Sequence, residues 1–67
     1  MNLMEGLIVE RDRVLELKRQ YESLSDGTGM VGAMMMQKSL EDAKKAAASG
    51  DVVEMLRCYE ELKGFTG

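Results

Sequence analysis

The feature that most limits the fold is the spacing of apolar residues between Leu3 and Leu24. Apolar side chains recur three or four positions apart along this stretch, and only Glu10 interrupts the series; they are Leu3, Leu7, Val14, Leu17, Tyr21 and Leu24. This spacing keeps one stripe of an α-helix turned towards a neighbouring helix. We therefore predict a long first helix over residues 3–24, with Asn2 as its N-cap. Glu10 is predicted to lie at the edge of its apolar face.

A glycine-containing loop follows this helix at residues 25–29. Gly27 suits the left-handed conformation in which helices often end. Asp26 or Thr28 can cap the next helix, because short polar side chains accept hydrogen bonds from its first free N–H groups. We predict that this second helix covers residues 30–48 and that the loop acts as a Gly-rich hinge.

The sharpest boundary in the chain is Gly50-Asp51. We predict that Gly50 ends the second helix and that Asp51 caps a third helix over residues 52–63. Its apolar stripe is predicted at Val52, Met55, Leu56, Tyr59 and Leu62. The predicted fold is all-α: a long N-terminal helix, the hinge, then a short-linked αα-hairpin, in one small helical domain over residues 1–67.

Gly50-Asp51 followed by Met55, Tyr59 and Leu62 resembles the second helix of a tetratricopeptide unit, over about 17 of the 34 residues of such a unit. The preceding helix lacks the tryptophan, leucine and tyrosine of that repeat. One unit is also too few, because such repeats bury their apolar faces by stacking. The resemblance therefore implies a shared hairpin geometry, and no function is carried over from it.

Size and composition favour self-association. The chain has 67 residues, no proline and no histidine, and its single cysteine excludes an intramolecular disulfide. Helix-forming residues dominate the composition. Chains this short bury a small core, and oligomerisation is a common remedy. We therefore expect a homodimer or a higher oligomer that completes its core by association.

The most unusual composition lies at the start of the second helix, where Met34, Met35 and Met36 are consecutive. They cannot all face one core, because successive helical residues point about 100° apart. A self-association interface is the favoured interpretation, with a groove for another protein's helix and ordinary core packing as alternatives. The predicted interface is Leu7, Val14, Leu17, Tyr21, Leu24, Met30, Met34 and Met35.

Two other patterns suggest ligands. The segment Gly27–Gly32 reads G-x-G-x-x-G, the pattern of dinucleotide-binding loops, but a helix precedes it where such loops need a strand. A weaker alternative is a small anion held by the free N–H groups of the helix N-terminus. Arg11, Arg13, Lys18 and Arg19 form the only basic cluster, with carboxylates interleaved and a net charge of −3 over the whole chain. We therefore do not expect nucleic-acid binding.

The sequence predicts no catalytic, metal-binding or cofactor-binding residues. Cys58 has no histidine to activate it and is predicted to be a structural thiol. No secretory signal or membrane span is predicted, so we expect a cytoplasmic protein.

We therefore expect a homodimeric, non-enzymatic protein–protein interaction module. It would serve as a small accessory, adaptor or inhibitor protein of the kind found in phages and mobile elements. The alternatives are an oligomeric binder of a small ligand or nucleotide phosphate at Gly27–Gly32, and a helical nucleic-acid-binding dimer.

Overall fold

The fold consists of three helices joined by two short links. A computed structural model describes residues 2–24 and 26–66. The helices are α1 (Leu3–Glu22), α2 (Met30–Ser49) and α3 (Val52–Lys63). The predicted all-α class with three helices is confirmed. Helix α1 ends two residues before its predicted end at Leu24, and Ser25 of the predicted loop lies outside the described residues.

Side-chain caps begin α1 and α3. The Asn2 Oδ1 atom accepts a hydrogen bond from the Glu5 backbone N–H at 2.8 Å. The Asp51 Oδ1 atom accepts one from the Glu54 N–H at 3.2 Å. Each cap satisfies a donor that has no partner inside its helix. A carboxylate also lies in the first turn of each helix, Glu5 in α1 and Glu54 in α3, near the positive end of the helix dipole. Both predicted caps are confirmed.

The start of α2 differs from its prediction. Its N-cap is Gly29, and no side chain accepts a hydrogen bond there. Asp26 instead accepts from the backbone N–H and the hydroxyl of Thr28, at 3.1 and 2.8 Å. The prediction that Asp26 or Thr28 caps α2 is therefore wrong, because these two residues bond each other in a local turn.

A two-residue link joins α2 to α3. Gly50 has φ +72°, in the left-handed region, and its N–H donates to the Ala46 carbonyl at 3.1 Å. This conformation ends α2 and turns the chain sharply, and Asp51 begins α3 immediately. The predicted left-handed glycine is confirmed, and the two helices form an αα-hairpin.

Helices α1 and α2 run antiparallel, and α3 packs against both. The Tyr21 ring near the end of α1 lies against Gly32 at the start of α2. The buried side chains of the three helices form one core: Leu7, Val14, Leu17, Met36, Leu40, Ala43, Ala46, Met55, Cys58 and Leu62. One copy of the chain therefore already has a hydrophobic core of its own.

The buried face of α3 is rotated from its predicted position. Met55, Cys58 and Leu62 are buried, whereas Val52 and Leu56 are exposed. The prediction that Val52 and Leu56 belong to the buried stripe is wrong. The predicted residues and the buried residues both have helical spacing. The packing of α3 against α2 buries the set that contains Cys58.

Helix α3 is much shorter than its neighbours, with 12 residues against 20 in each of the others. Two contacts near its C-terminal end show how far it reaches. The Arg13 Nη2 atom donates to the Leu62 carbonyl at 2.8 Å, and the Ser39 hydroxyl donates to the Glu61 carboxylate at 3.3 Å. Helix α3 therefore lies beside the first half of α1 and the second half of α2.

This arrangement divides the molecule into two halves. The three-helix half contains residues 3–14, residues 39–49 and α3. The two-helix half contains residues 15–22 and 30–38, where no third helix is present among the described residues. The segment after α3 approaches this half: Phe65 packs on the core, and the Tyr21 hydroxyl donates to the Thr66 carbonyl at 3.4 Å.

Candidate interaction surface

A continuous apolar face lies on the outside of α2 in the two-helix half. It consists of Met30, Val31, Met34 and Met35, which are 52%, 70%, 68% and 59% exposed. Residues four apart are neighbours on a helix, so 30 with 34 and 31 with 35 form two adjacent rows. We call this face the methionine strip. It extends for about two helical turns.

The strip is exposed because other residues fill the inner face of the same helical turns. Ala33 and Met36 are only 3% and 2% exposed and point into the core. The expectation that consecutive methionines must face different surroundings is confirmed, with Met36 inside and Met34 and Met35 outside. The strip therefore stays exposed although the core beneath it is already packed.

The shortness of α3 leaves one edge of the strip uncovered. Met35 lies one turn before Ser39, whose hydroxyl contacts Glu61 of α3. Residues one turn apart share a helix face, so Met35 is on the α3 side of α2 but beyond the end of α3. A longer third helix would cover it.

The structure divides the predicted interface residues into two groups. Leu7, Val14 and Leu17 are 3%, 0% and 7% exposed and belong to the core of one chain. Tyr21 is half-buried, and Leu24 is exposed with the methionines. A second chain could reach Leu24 and the strip directly. The three buried residues are already in contact with α2 and α3.

The glycines of the G-x-G-x-x-G segment are explained by the contact between α1 and α2. Gly27 has φ +76°, which L side chains rarely adopt. A Cβ atom on Gly29 would overlap the Tyr21 carbonyl, and one on Gly32 would lie 2.7 Å from two ring carbons of Tyr21. All three glycines therefore serve the local backbone and its packing. Movement at the predicted hinge stays a prediction.

A second apolar patch lies on the opposite side of the molecule, between α1 and α3. Val9, Val52 and Leu56 are each more than half exposed. Val9 lies one turn before Arg13, which contacts the Leu62 carbonyl, so Val9 is on the α3 side of α1. Sequence reasoning missed this patch because it placed Val52 and Leu56 in the core.

The basic cluster of α1 is paired with carboxylates of the same helix. Each cation has an acidic partner within four residues: Arg11–Asp12 at 3.1 Å, Lys18–Glu22 at 3.5 Å and Arg19–Glu16 at 3.6 Å. Glu10, at the edge of the α1 face, accepts a hydrogen bond from Arg13 Nε at 2.8 Å. These pairs form a mixed-charge surface, and no basic face arises from this cluster.

The chemistry of the core is that of a structural thiol. Cys58 is 2% exposed. Burial raises the pKa of the thiol, and the nearby carboxylates of Glu61, Asp42 and Glu54 raise it further. A neutral thiol is a weak nucleophile. Across residues 2–24 and 26–66, no three His, Cys, Asp or Glu side chains are grouped closely enough to hold a metal ion.

The enclosed space in the fold is small. A cavity of about 30 Å³ between α1 and α2 is lined by Met4, Ile8 and Ala47 among others, which is room for about one water molecule. A shallow depression of about 400 Å³ between α2 and α3 has charged walls that are largely neutralised by two ion pairs, Lys38–Asp42 at 3.0 Å and Arg57–Glu54 at 2.7 Å. The methionine strip is therefore the strongest candidate for a functional surface.

Comparison with protein-family models, curated proteins and solved structures finds no match for this chain. None of the helices in the described part of the chain is both long enough and apolar enough to cross a membrane.

Proposed function

We propose that this chain is a non-enzymatic, homodimeric protein–protein interaction module that serves as a small accessory, adaptor or inhibitor protein. The proposal rests on the exposure of the methionine strip on α2. Contiguous apolar patches exposed on soluble proteins are often binding sites. Here the face lies on a regular helix whose inner side is already packed.

The residue types of the strip support binding to protein. Methionine has a flexible, polarisable side chain and is common on surfaces that fit more than one partner. Val31 adds a rigid β-branched contact between the methionine positions. Such a helix face suits an apolar helix of another copy or of another protein.

Neither alternative function has a specific observation in its favour. The Gly27–Gly32 segment, suggested for a ligand, packs closely on Tyr21. The cations suggested for nucleic acid are held in local ion pairs. We therefore advance the interaction module alone. The buried free thiol of Cys58 fits a reducing compartment, so we propose the cytoplasm as its location.

Sedimentation velocity tests the homodimer. The chain is examined from about 1 to about 100 µM, the range in which small interfaces dissociate. We expect the average mass to rise from one chain to two across this series. A constant single-chain mass at every concentration would contradict the homodimer.

A further inference from the structure

The methionine strip lies in the longest stretch of the chain that carries no charged side chain. Residues 27–37 contain none, whereas charged residues make up 31% of the whole sequence. Asp26 stands immediately before the stretch and Lys38 immediately after it. The two ends of the stretch therefore carry opposite charges, so parallel and antiparallel pairs of α2 helices bring different charges together.

We propose that the methionine strip binds a second copy of this chain with the two α2 helices antiparallel. The proposal deepens the homodimer proposed above and rests on it. The two-fold axis passes near the middle of the strip, so that Met30 of one copy faces Met35 of the other and Val31 faces Met34. The two-helix halves then overlap, and the three-helix halves lie at opposite ends.

Symmetry favours this face over others. A two-fold interface brings each residue near the axis close to its own copy, so a charge there meets an equal charge. The strip has no charge to repel. On the opposite side of the molecule, exposed Val53 and Leu56 are interspersed with Arg57, Glu60 and Lys63 in α3. A two-fold contact there would face like charges.

Charge also selects the antiparallel direction. With the axis near the middle of the strip, Lys38 of each copy lies near the start of the other copy's α2, where Asp26 stands in the turn before the helix. A parallel pair would instead place Lys38 beside Lys38 and Asp26 beside Asp26. The Lys38 side chain is 78% exposed and pairs with Asp42 at 3.0 Å from the same side of α2, so its ammonium group is at the surface.

The area of the strip determines how tightly we expect two copies of the chain to bind. Stable protein interfaces bury about 800 Å² on each partner. A face of two helical turns is smaller than that, so we expect a dimer that exchanges at micromolar concentration. The affinity experiment therefore needs a method that measures the dissociation constant and not only the presence of a dimer.

The first test introduces one charge into the strip. Met34→Glu changes a side chain that is 68% exposed, and Val53→Glu changes one that is 75% exposed, outside the strip. We expect Met34→Glu to raise the dimer dissociation constant at least about tenfold and Val53→Glu to leave it near the wild-type value. Circular dichroism checks that both variants remain helical.

The possible results distinguish the assignment of the strip from the homodimer on which it rests. A wild-type chain that stays monomeric contradicts the homodimer itself. A wild-type dimer that Met34→Glu leaves intact, or that Val53→Glu weakens equally, overturns the assignment of the strip while the homodimer stands.

The second test measures the direction of the pair. A nitroxide label on Ala48→Cys lies on the exposed surface near the end of α2, and wild-type chain treated in the same way checks that buried Cys58 stays unlabelled. At 1.5 Å per residue, the antiparallel pair places the labels about 45 Å apart. Double electron–electron resonance at a dimer-forming concentration should show this distance. A distance of about 20 Å or less would overturn the antiparallel arrangement.

Discussion

The two halves of the molecule use similar apolar residues for different purposes. In the three-helix half each helix has two neighbours, and Val14, Cys58 and Leu62 are almost completely buried. In the two-helix half each helix has one neighbour, so only the inner side chains are covered. Met34 and Met35 therefore remain exposed in a chain that has already packed its core.

This difference shows how a short helix can leave an apolar surface exposed. Helix α3 ends at Lys63, near the level of Ser39 on α2. Beyond that level, α2 continues for more than two turns with α1 as its only helical neighbour among the described residues. The fully buried side chains of α3 and the proposed interaction surface therefore lie at different ends of the bundle, so we expect substitutions at the two ends to have different effects.

The largest expected effect comes from the core of the three-helix half. Leu62 is completely buried, and replacing a buried leucine by alanine costs about 2–5 kcal/mol in unfolding free energy. We expect Leu62→Ala to approach complete loss of the folded state, because a chain of this size has only a few kcal/mol of stability. Urea denaturation followed by circular dichroism measures this change.

The matched variant in the two-helix half is Met34→Ala, measured at a concentration where the chain is monomeric. Met34 is mostly exposed, so we expect a change within about 0.5 kcal/mol. Equal losses of unfolding free energy in Leu62→Ala and Met34→Ala would show that the strip stabilises the single folded chain. The two halves would then not differ in their contribution to stability.

The second prediction concerns the close contact at the start of α2. A Cβ atom on Gly29 would overlap the Tyr21 carbonyl, so Gly29→Ala requires the backbones to separate. We expect a loss of about 1–3 kcal/mol, as for other overpacked sites. Thermal and urea denaturation give the value.

A double-mutant cycle with Tyr21→Ala distinguishes backbone from side-chain overlap. Gly32→Ala meets only the Tyr21 ring, so it should become neutral or stabilising once the ring is removed. Gly29→Ala meets the Tyr21 backbone and should stay destabilising in that background. If Tyr21→Ala restored the stability of both glycine variants equally, the overlap at Gly29 would involve the Tyr21 side chain and not its backbone.

These glycines show where sequence reasoning succeeded and where it could not. The helices follow from local signals: apolar spacing, the caps at Asn2 and Asp51, and the left-handed Gly50. The roles of Gly29 and Gly32 depend on Tyr21, which is brought to them only when α1 and α2 pack. A local motif reading therefore suggested a ligand loop where the fold has a tertiary contact.

The same limit applies to the interface residues. Helical spacing identifies which residues of α1 share a face, but it does not say whether that face meets another part of the chain or a second copy. Leu17 and Met34 were therefore predicted to serve one interface, whereas the fold buries Leu17 and exposes Met34. The length of α3 decides this, because it determines how far the third helix extends along α1 and α2.

A smaller effect is expected at the α3 cap in the three-helix half. Asp51→Ala removes the acceptor of the Glu54 N–H, and such changes cost about 1 kcal/mol. Asp51→Asn is the matched control, because its side-chain oxygen can still accept the bond. We expect the alanine variant to melt at a lower temperature than the asparagine variant. Identical melting temperatures would mean that the cap adds nothing to the stability of the hairpin.

The smallest effect is the pH dependence contributed by Cys58. Its pKa is raised above the ordinary value of 9.0 by burial. A group whose pKa is higher in the folded state stabilises the fold below its unfolded pKa, and this contribution is lost as the pH rises through the folded pKa. The stability difference between wild type and Cys58→Ala should therefore be constant near neutral pH and shrink above about pH 9.

The two-helix half supplies the control for this titration. In a Cys58→Ala background, Met34→Cys places the only thiol on the exposed strip, where no burial opposes ionisation. Its contribution to unfolding free energy, measured against Cys58→Ala alone, should not change over the same alkaline range. An equal pH dependence at both positions would show that burial of the thiol is not its cause. A dependence found only at Cys58 would show that burial of the thiol, and not its mere presence, produces the pH dependence.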